Sequence, residues 1–111
     1  MQASDEIVDD ALLIRLEGKI TGNNAPNLEQ SFKTHVEEGR HKIALDFTAV
    51  EYISSAGLRV ILWLAKQLKS KPGGLVLFGV QKSVMDIFKM CGFVELLPFF
   101  ESREAALEKL K

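Results

Sequence analysis

At 111 residues, 47% of them hydrophobic and 26% charged, the chain has material for one continuous core and too little for two, so a single domain over residues 1–111 is expected. Its 14 Lys and Arg balance 15 Asp and Glu to a net charge of -1, which supplies no overall field for nucleic acid or an anionic membrane. The lone Cys91 excludes an internal disulfide, the acidic start Met1–Glu6 is unlike a secretory signal, and no apolar run nears the ~18 residues of a membrane span, so a cytoplasmic protein is expected.

From Ala11 to Glu17, Leu12, Ile14 and Leu16 alternate with Leu13, Arg15 and Glu17, the period of a strand with unequal faces. Ile7 and Val8, before an Asp9-Asp10 turn, supply a short antiparallel partner. Asn23-Asn24-Ala25-Pro26 has helix-start chemistry: an amide side chain able to cap, then a proline tolerated in the first turn. The helix buries Leu28, Phe32 and Val36 and stops at Gly39. Lys42–Phe47 reads as a buried central strand, followed by a turn from Thr48 to Ser54.

A second helix spans Ala56–Lys69, with Leu58, Ile61, Leu62, Ala65 and Leu68 on its buried face, and Pro72-Gly73-Gly74 ends it. Leu75–Val80 is a further apolar strand. Ser83–Cys91 is a helix with Val84, Ile87, Phe88 and Cys91 inward and Gly92 as its stop. Val94–Phe100 reads as a last strand, held to an edge or a strand end by Pro98, and Ser102 caps a final helix burying Ala106, Leu107 and Leu110. Strands alternating with helices imply crossover connections, hence an α/β domain with a mixed, largely parallel sheet and helices packed on it.

Chemistry concentrates at Ser54 and Ser55, which open the second helix. Either hydroxyl can accept a hydrogen bond from an otherwise unpaired backbone N–H, the ordinary work of a capping serine. The same free N–H groups and the positive end of the helix dipole also suit a phosphoryl group, and small Ala56 and Gly57 leave a serine there approachable. Arg59, Trp63 and Lys66 form one stripe beside the buried face, of residue types that serve either as a binding surface or as a packed Trp with solvated cations. Asp46 is either a polar wall near the serines or an acceptor for its own turn.

Acidic residues crowd the first half (Asp5, Glu6, Asp9, Asp10, Glu17, Glu37, Glu38), and Lys66, Lys69, Lys71, Lys82 and Lys89 gather in the second. Solvated faces or a partner surface both account for that separation. One Cys with only His35 and His41 makes no metal-ligand cluster by spacing, and no cofactor is expected. A hydrolase lacks its signs: no nucleophile-elbow glycine stands two residues before Ser55, and no base is evident.

The stretch Val50-Glu51-Tyr52-Ile53-Ser54-Ser55-Ala56-Gly57-Leu58, after the strand ending Ala44-Leu45-Asp46-Phe47, resembles the anti-sigma-factor antagonists, that is, the STAS domain shared with the cytoplasmic part of sulfate transporters. The turn Leu16-Glu17-Gly18-Lys19-Ile20, the helix start at Ala25 and Leu28, and Gly92 before an apolar segment also fall where the family has comparable features. The resemblance implies a non-enzymatic module whose phosphorylated serine, two before the glycine, is Ser55, with Ser54 as second choice. It also implies that the unphosphorylated form binds an anti-sigma factor that is itself a serine kinase, and that a serine phosphatase reverses the modification. The expected partner surface is Thr21, Ser54, Ala56, Gly57, Leu58, Arg59, Trp63 and Lys66. Many members carry acidic residues where this chain has Ser54 and Thr21, and a constitutive scaffold or ligand-sensing module, with Ser55 only a cap, is the alternative.

Overall fold

A computed structural model describes residues 1–111. In chain order the elements are β1 (Gln2–Val8), β2 (Ala11–Ile20), α1 (Ala25–Glu37), β3 (Lys42–Ile53), α2 (Ser55–Leu68), β4 (Gly74–Phe78), α3 (Lys82–Met90), β5 (Phe99–Phe100) and α4 (Arg103–Leu110). The strands lie side by side as β1-β2-β3-β4-β5, with β1 antiparallel to β2 and every other pair parallel, so the mixed, largely parallel α/β sheet expected from the sequence is the one observed.

The order of the strands fixes the place of the helices. From β2 onward each strand is added on the same side of the last, and right-handed crossovers then put all connecting helices on one face of the sheet. Accordingly α1, α2 and α3 share a core of 22 buried residues, whereas α4, which follows the last strand, closes a separate group of seven on the other face. Register keeps the two apart. Leu12, Ile43 and Leu75 align toward the large core, and their neighbours Leu13, Ala44 and Val76 align toward the small one.

The β1–β2 turn holds Asp9 at φ 56, a left-handed conformation that aspartate tolerates. Beside it the Lys42 ammonium, 2.7 Å from Asp10 Oδ2, holds that carboxyl below its ordinary range. Helix α1 ends in a Schellman turn at Gly39 (φ 87), where Gly39 N–H donates to Val36 O and Arg40 N–H to His35 O. Gly92 (φ 75) ends α3 in the same way, with Gly92 N–H on Lys89 O and Phe93 N–H on Phe88 O.

Several expectations need correction. The Asn24 side chain does not cap α1: its Oδ1 accepts from Thr21 N–H and its Nδ2 donates to Lys19 O, tying the approach to the helix instead. Thr48 to Ile53 is not a turn, because β3 runs on as a strand against Ala49–Ile53's partners Glu17–Ile20, through bulges near Leu16 and Gly18. On α2 the buried side chains also include Val60 and Leu64, while Leu62 and Ala65 are only partly covered. Cys91 is exposed, since the helix ends there and the chain swings away at Gly92 before the sheet can cover it. The apolar run after Gly92 yields only Phe99–Phe100 as strand; Phe93 and Val94 pack on the core from a turn, and Leu97 is buried.

Candidate functional site

The serine turn joins the far end of β3 to α2, and β2 holds it from beside. Ser54 N–H donates to Ile20 O at 2.8 Å, which fixes Ser54 in an extended conformation (φ -81, ψ 169). From there its Oγ accepts the Gly57 N–H at 3.1 Å and its carbonyl accepts the Leu58 N–H at 2.9 Å, so Ser54 is the N-cap of α2. Its hydroxyl is committed to the fold. Ser55, the first residue of the helix, is exposed, and its hydroxyl makes no hydrogen bond within the chain. The N–H groups of Ser55 and Ala56 are likewise unpaired, as the opening of an α-helix requires.

Gly57 has a different part from the one expected. It is buried, and a Cβ there would meet Ile20 Cγ2 at 2.6 Å and Ile53 Cγ1 at 2.9 Å. The missing side chain lets α2 approach the ends of β2 and β3; it does not open the serine to a partner. Leu58, 2% exposed, belongs to the core, so neither Gly57 nor Leu58 presents a side chain to a docking partner. What the turn shows to solvent is Ser55, with Ser54 and Ala56 partly covered on either side.

Thr21 follows Ile20 directly and therefore lies beside the turn, partly exposed, its N–H held by Asn24 and its carbonyl accepting from Ala25 N–H at 2.9 Å. One helical turn past Ser55, Arg59 is exposed and free of any ion pair. The stripe expected to continue from it divides. Trp63 packs partly buried against the core beside α1, with Lys33 Nζ 5.9 Å from its ring centre, so packing accounts for it better than docking does. Lys66 is exposed but sits about 16 Å along the helix from Ser55, at the rim of a cleft at the other end of α2.

Asp46 is not a wall of the serine turn. The residue is 7% exposed, its carboxylate accepts from the backbone N–H and hydroxyl of Thr48, and about 25 Å of strand separates it from Ser54. Sequence reasoning passed over Tyr52, 44% exposed one residue before the end of β3, with exposed Lys19 as its neighbour on β2. Only the break in alternation after Val50 could have signalled it. No three His, Cys, Asp or Glu side chains gather as a metal ion needs, no buried side-chain polar atom lacks a partner, and no helix is long and apolar enough to cross a membrane. The turn thus presents a hydroxyl, two free amide donors and a guanidinium at the surface.

Known proteins of similar sequence and shape agree with that reading of the architecture. A family model for the STAS domain matches residues 2–106. BtrV of Bordetella bronchiseptica, a candidate anti-sigma factor antagonist, is 38% identical over 111 residues, covering 100% of this chain and 96% of its own. Among solved structures, a candidate anti-sigma factor antagonist from Thermotoga maritima superposes with a TM-score of 0.90 at 23% identity, over 97% of this chain and 93% of that one. The Bacillus cell fate determinant SpoIIAA in its phosphorylated form superposes with a TM-score of 0.74 at 17% identity, over 99% and 100%. The strand order, the serine turn and the match over nearly the whole length together establish that this chain belongs to the STAS domain family, and the relatives it matches are anti-sigma factor antagonists.

Proposed function

We propose that this protein is an anti-sigma factor antagonist acting in the cytoplasm as a binding module without catalysis of its own. While Ser55 is unmodified, it binds and sequesters an anti-sigma factor that is also a serine kinase. Phosphorylation of Ser55 ends the interaction, and a serine phosphatase restores it. The observation that carries this reading is the division of labour between two adjacent serines: Ser54 Oγ is used by the Gly57 N–H, and Ser55 Oγ is exposed and free.

Physical chemistry supports a phosphate at that place. Phosphorylation adds about -1.5 to -2 charges, which the positive end of the α2 dipole and the free Ser55 and Ala56 N–H groups accommodate. No acidic residue stands in the first turn of α2, and Arg59, four residues on, is placed to pair with the added oxyanion. The domain therefore keeps its fold while its docking face changes charge. SpoIIAA, similar in fold, has been solved phosphorylated. A serine rather than an acid at position 54 is no obstacle to helix formation, since Ser and Asp cap about equally well.

The test is incubation with the cognate kinase and ATP, followed by phosphopeptide mapping. The phosphate is expected on Ser55, and an unmodified Ser55 peptide from a reaction shown to be active would sink the assignment. In binding assays Ser55→Asp is expected to weaken capture of the kinase and Ser55→Ala to preserve it. Equal binding by both would instead favour a constitutive scaffold or ligand-sensing module, the reading to which the non-acidic Thr21 and Ser54 lend weight.

A further inference from the structure

At the opposite end of α2 from the serines, a cleft of about 390 Å³ opens between that helix, the start of β4, the segment before β5, and α4. That volume is within the range of small-molecule sites. Its apolar lining includes Leu62, Leu75, Leu96 and Pro98, and Leu96 stands 60% exposed although its neighbour Leu97 is buried. Four lysines are among its lining residues: Lys66, Lys69, Lys71 and Lys109. None of the four is in an ion pair, a state they share with Lys19, Lys82 and Lys89, but only here do four unpaired lysines gather, and no Asp or Glu lines the cleft.

Helix dipoles explain part of this arrangement and leave the larger part. The C-terminal ends of α2 and α4 lie here, each equivalent to roughly half a negative charge, and lysines are favourable at both. Four unit charges against two half charges still leave about +3 around an apolar floor. Lys71, moreover, lies beyond the end of its helix. A charge of that size over exposed leucine is complementary to a ligand with an anionic head and an apolar tail.

We propose that this cleft binds a soluble anionic amphiphile of the medium-chain carboxylate class, its tail against Leu62, Leu75 and Leu96 and its head among the four lysines. The site begins about 10 Å along α2 from Ser55, at Leu62, and reaches about 20 Å at Leu68, and it stands independently of the phosphorylation reading. Titration of the full chain with decanoate below its micelle concentration, followed by calorimetry and by NMR of the leucine methyls, tests it. Saturable one-to-one binding is expected, with shifts centred on Leu62, Leu75 and Leu96. Each methylene removed from water strengthens binding about fourfold, so octanoate is expected to bind about fifteenfold more weakly. Lys71→Glu combined with Lys109→Glu is expected to cost at least about tenfold in affinity, while the same net change at Lys82 and Lys89 on α3 leaves it unaltered. Absence of saturable binding would overturn the proposal. So would equal affinity for decyltrimethylammonium, equal loss in the α3 pair, or association only with phosphatidylglycerol vesicles.

Discussion

The two faces of the sheet are built from the same central strands and differ in what they hold. Toward α1, α2 and α3 the strands send Leu12, Ile14, Ile43, Leu45, Leu75 and Leu77; toward α4 they send Ala11, Leu13, Ala44, Val76 and Phe78. The first face carries both the larger core and the serine turn, whose cap hangs on β2 and whose helix is seated on Ile20 and Ile53. The second is closed by eight residues of helix whose cap is local, with Ala105 N–H on Ser102 Oγ at 3.1 Å. Stability and the candidate switch therefore share one face, and the other face can be weakened without moving the turn.

The largest effect expected is at Phe32, fully buried where α1 meets the sheet. Phe32→Ala is expected to cost about 3–5 kcal/mol in urea denaturation, because the helix and strands around it cannot both close the cavity. On the other face Leu110→Ala is expected to cost about 2–3 kcal/mol, at the low end for a buried leucine, since the last turn of a terminal helix can settle inward. Equal losses would abolish the contrast between the faces.

Gly57→Ala comes next, at about 1–3 kcal/mol, the usual cost of forcing atoms into a filled space. It sharpens the comparison because its strain is local to the turn. NMR shifts are expected at the Ile20 and Ile53 methyls and the Ser55 amide, none of which Leu110→Ala should move. A neutral Gly57→Ala would mean that the two isoleucines yield readily and that the close seating of α2 is not what glycine secures.

Local chemistry made most of this fold legible. The alternation in β2, the stripe Leu28 and Phe32 in α1, the stops at Gly39 and Gly92 and the Ser102 cap all depend on residues within a turn or two of one another. The misreadings arose where distant chain decides. Thr48 to Tyr52 resembles a turn because the partners that make it a strand, Glu17 to Ile20, lie thirty residues earlier and reach it through bulges. Val94 to Leu97 has the composition of a strand, but the Schellman turn at Gly92 sets its direction and leaves only Phe99 and Phe100 beside β4. The serine turn was visible as a location, since capping is local. Which hydroxyl is committed was not, because the Ile20 carbonyl orients Ser54; nor was the lysine cleft, assembled from four separate segments.

That commitment sets the smallest effect and the most discriminating one. Ser54→Ala removes the acceptor of the Gly57 N–H in a partly covered turn and is expected to cost about 1 kcal/mol, with Asp at the same position recovering most of it. Ser55→Ala removes an exposed hydroxyl that bonds to nothing and is expected to fall within about 0.5 kcal/mol of the parent. Both are read from denaturation midpoints at unchanged slope, so that a change in the unfolded chain is not mistaken for a lost bond. A Ser55→Ala cost equal to that of Ser54→Ala would mean that the second hydroxyl also belongs to the fold, and a phosphate on it would then have to displace structure before it could alter binding. A loss confined to Ser54 leaves Ser55 as the one hydroxyl of the pair that can be modified with the helix intact.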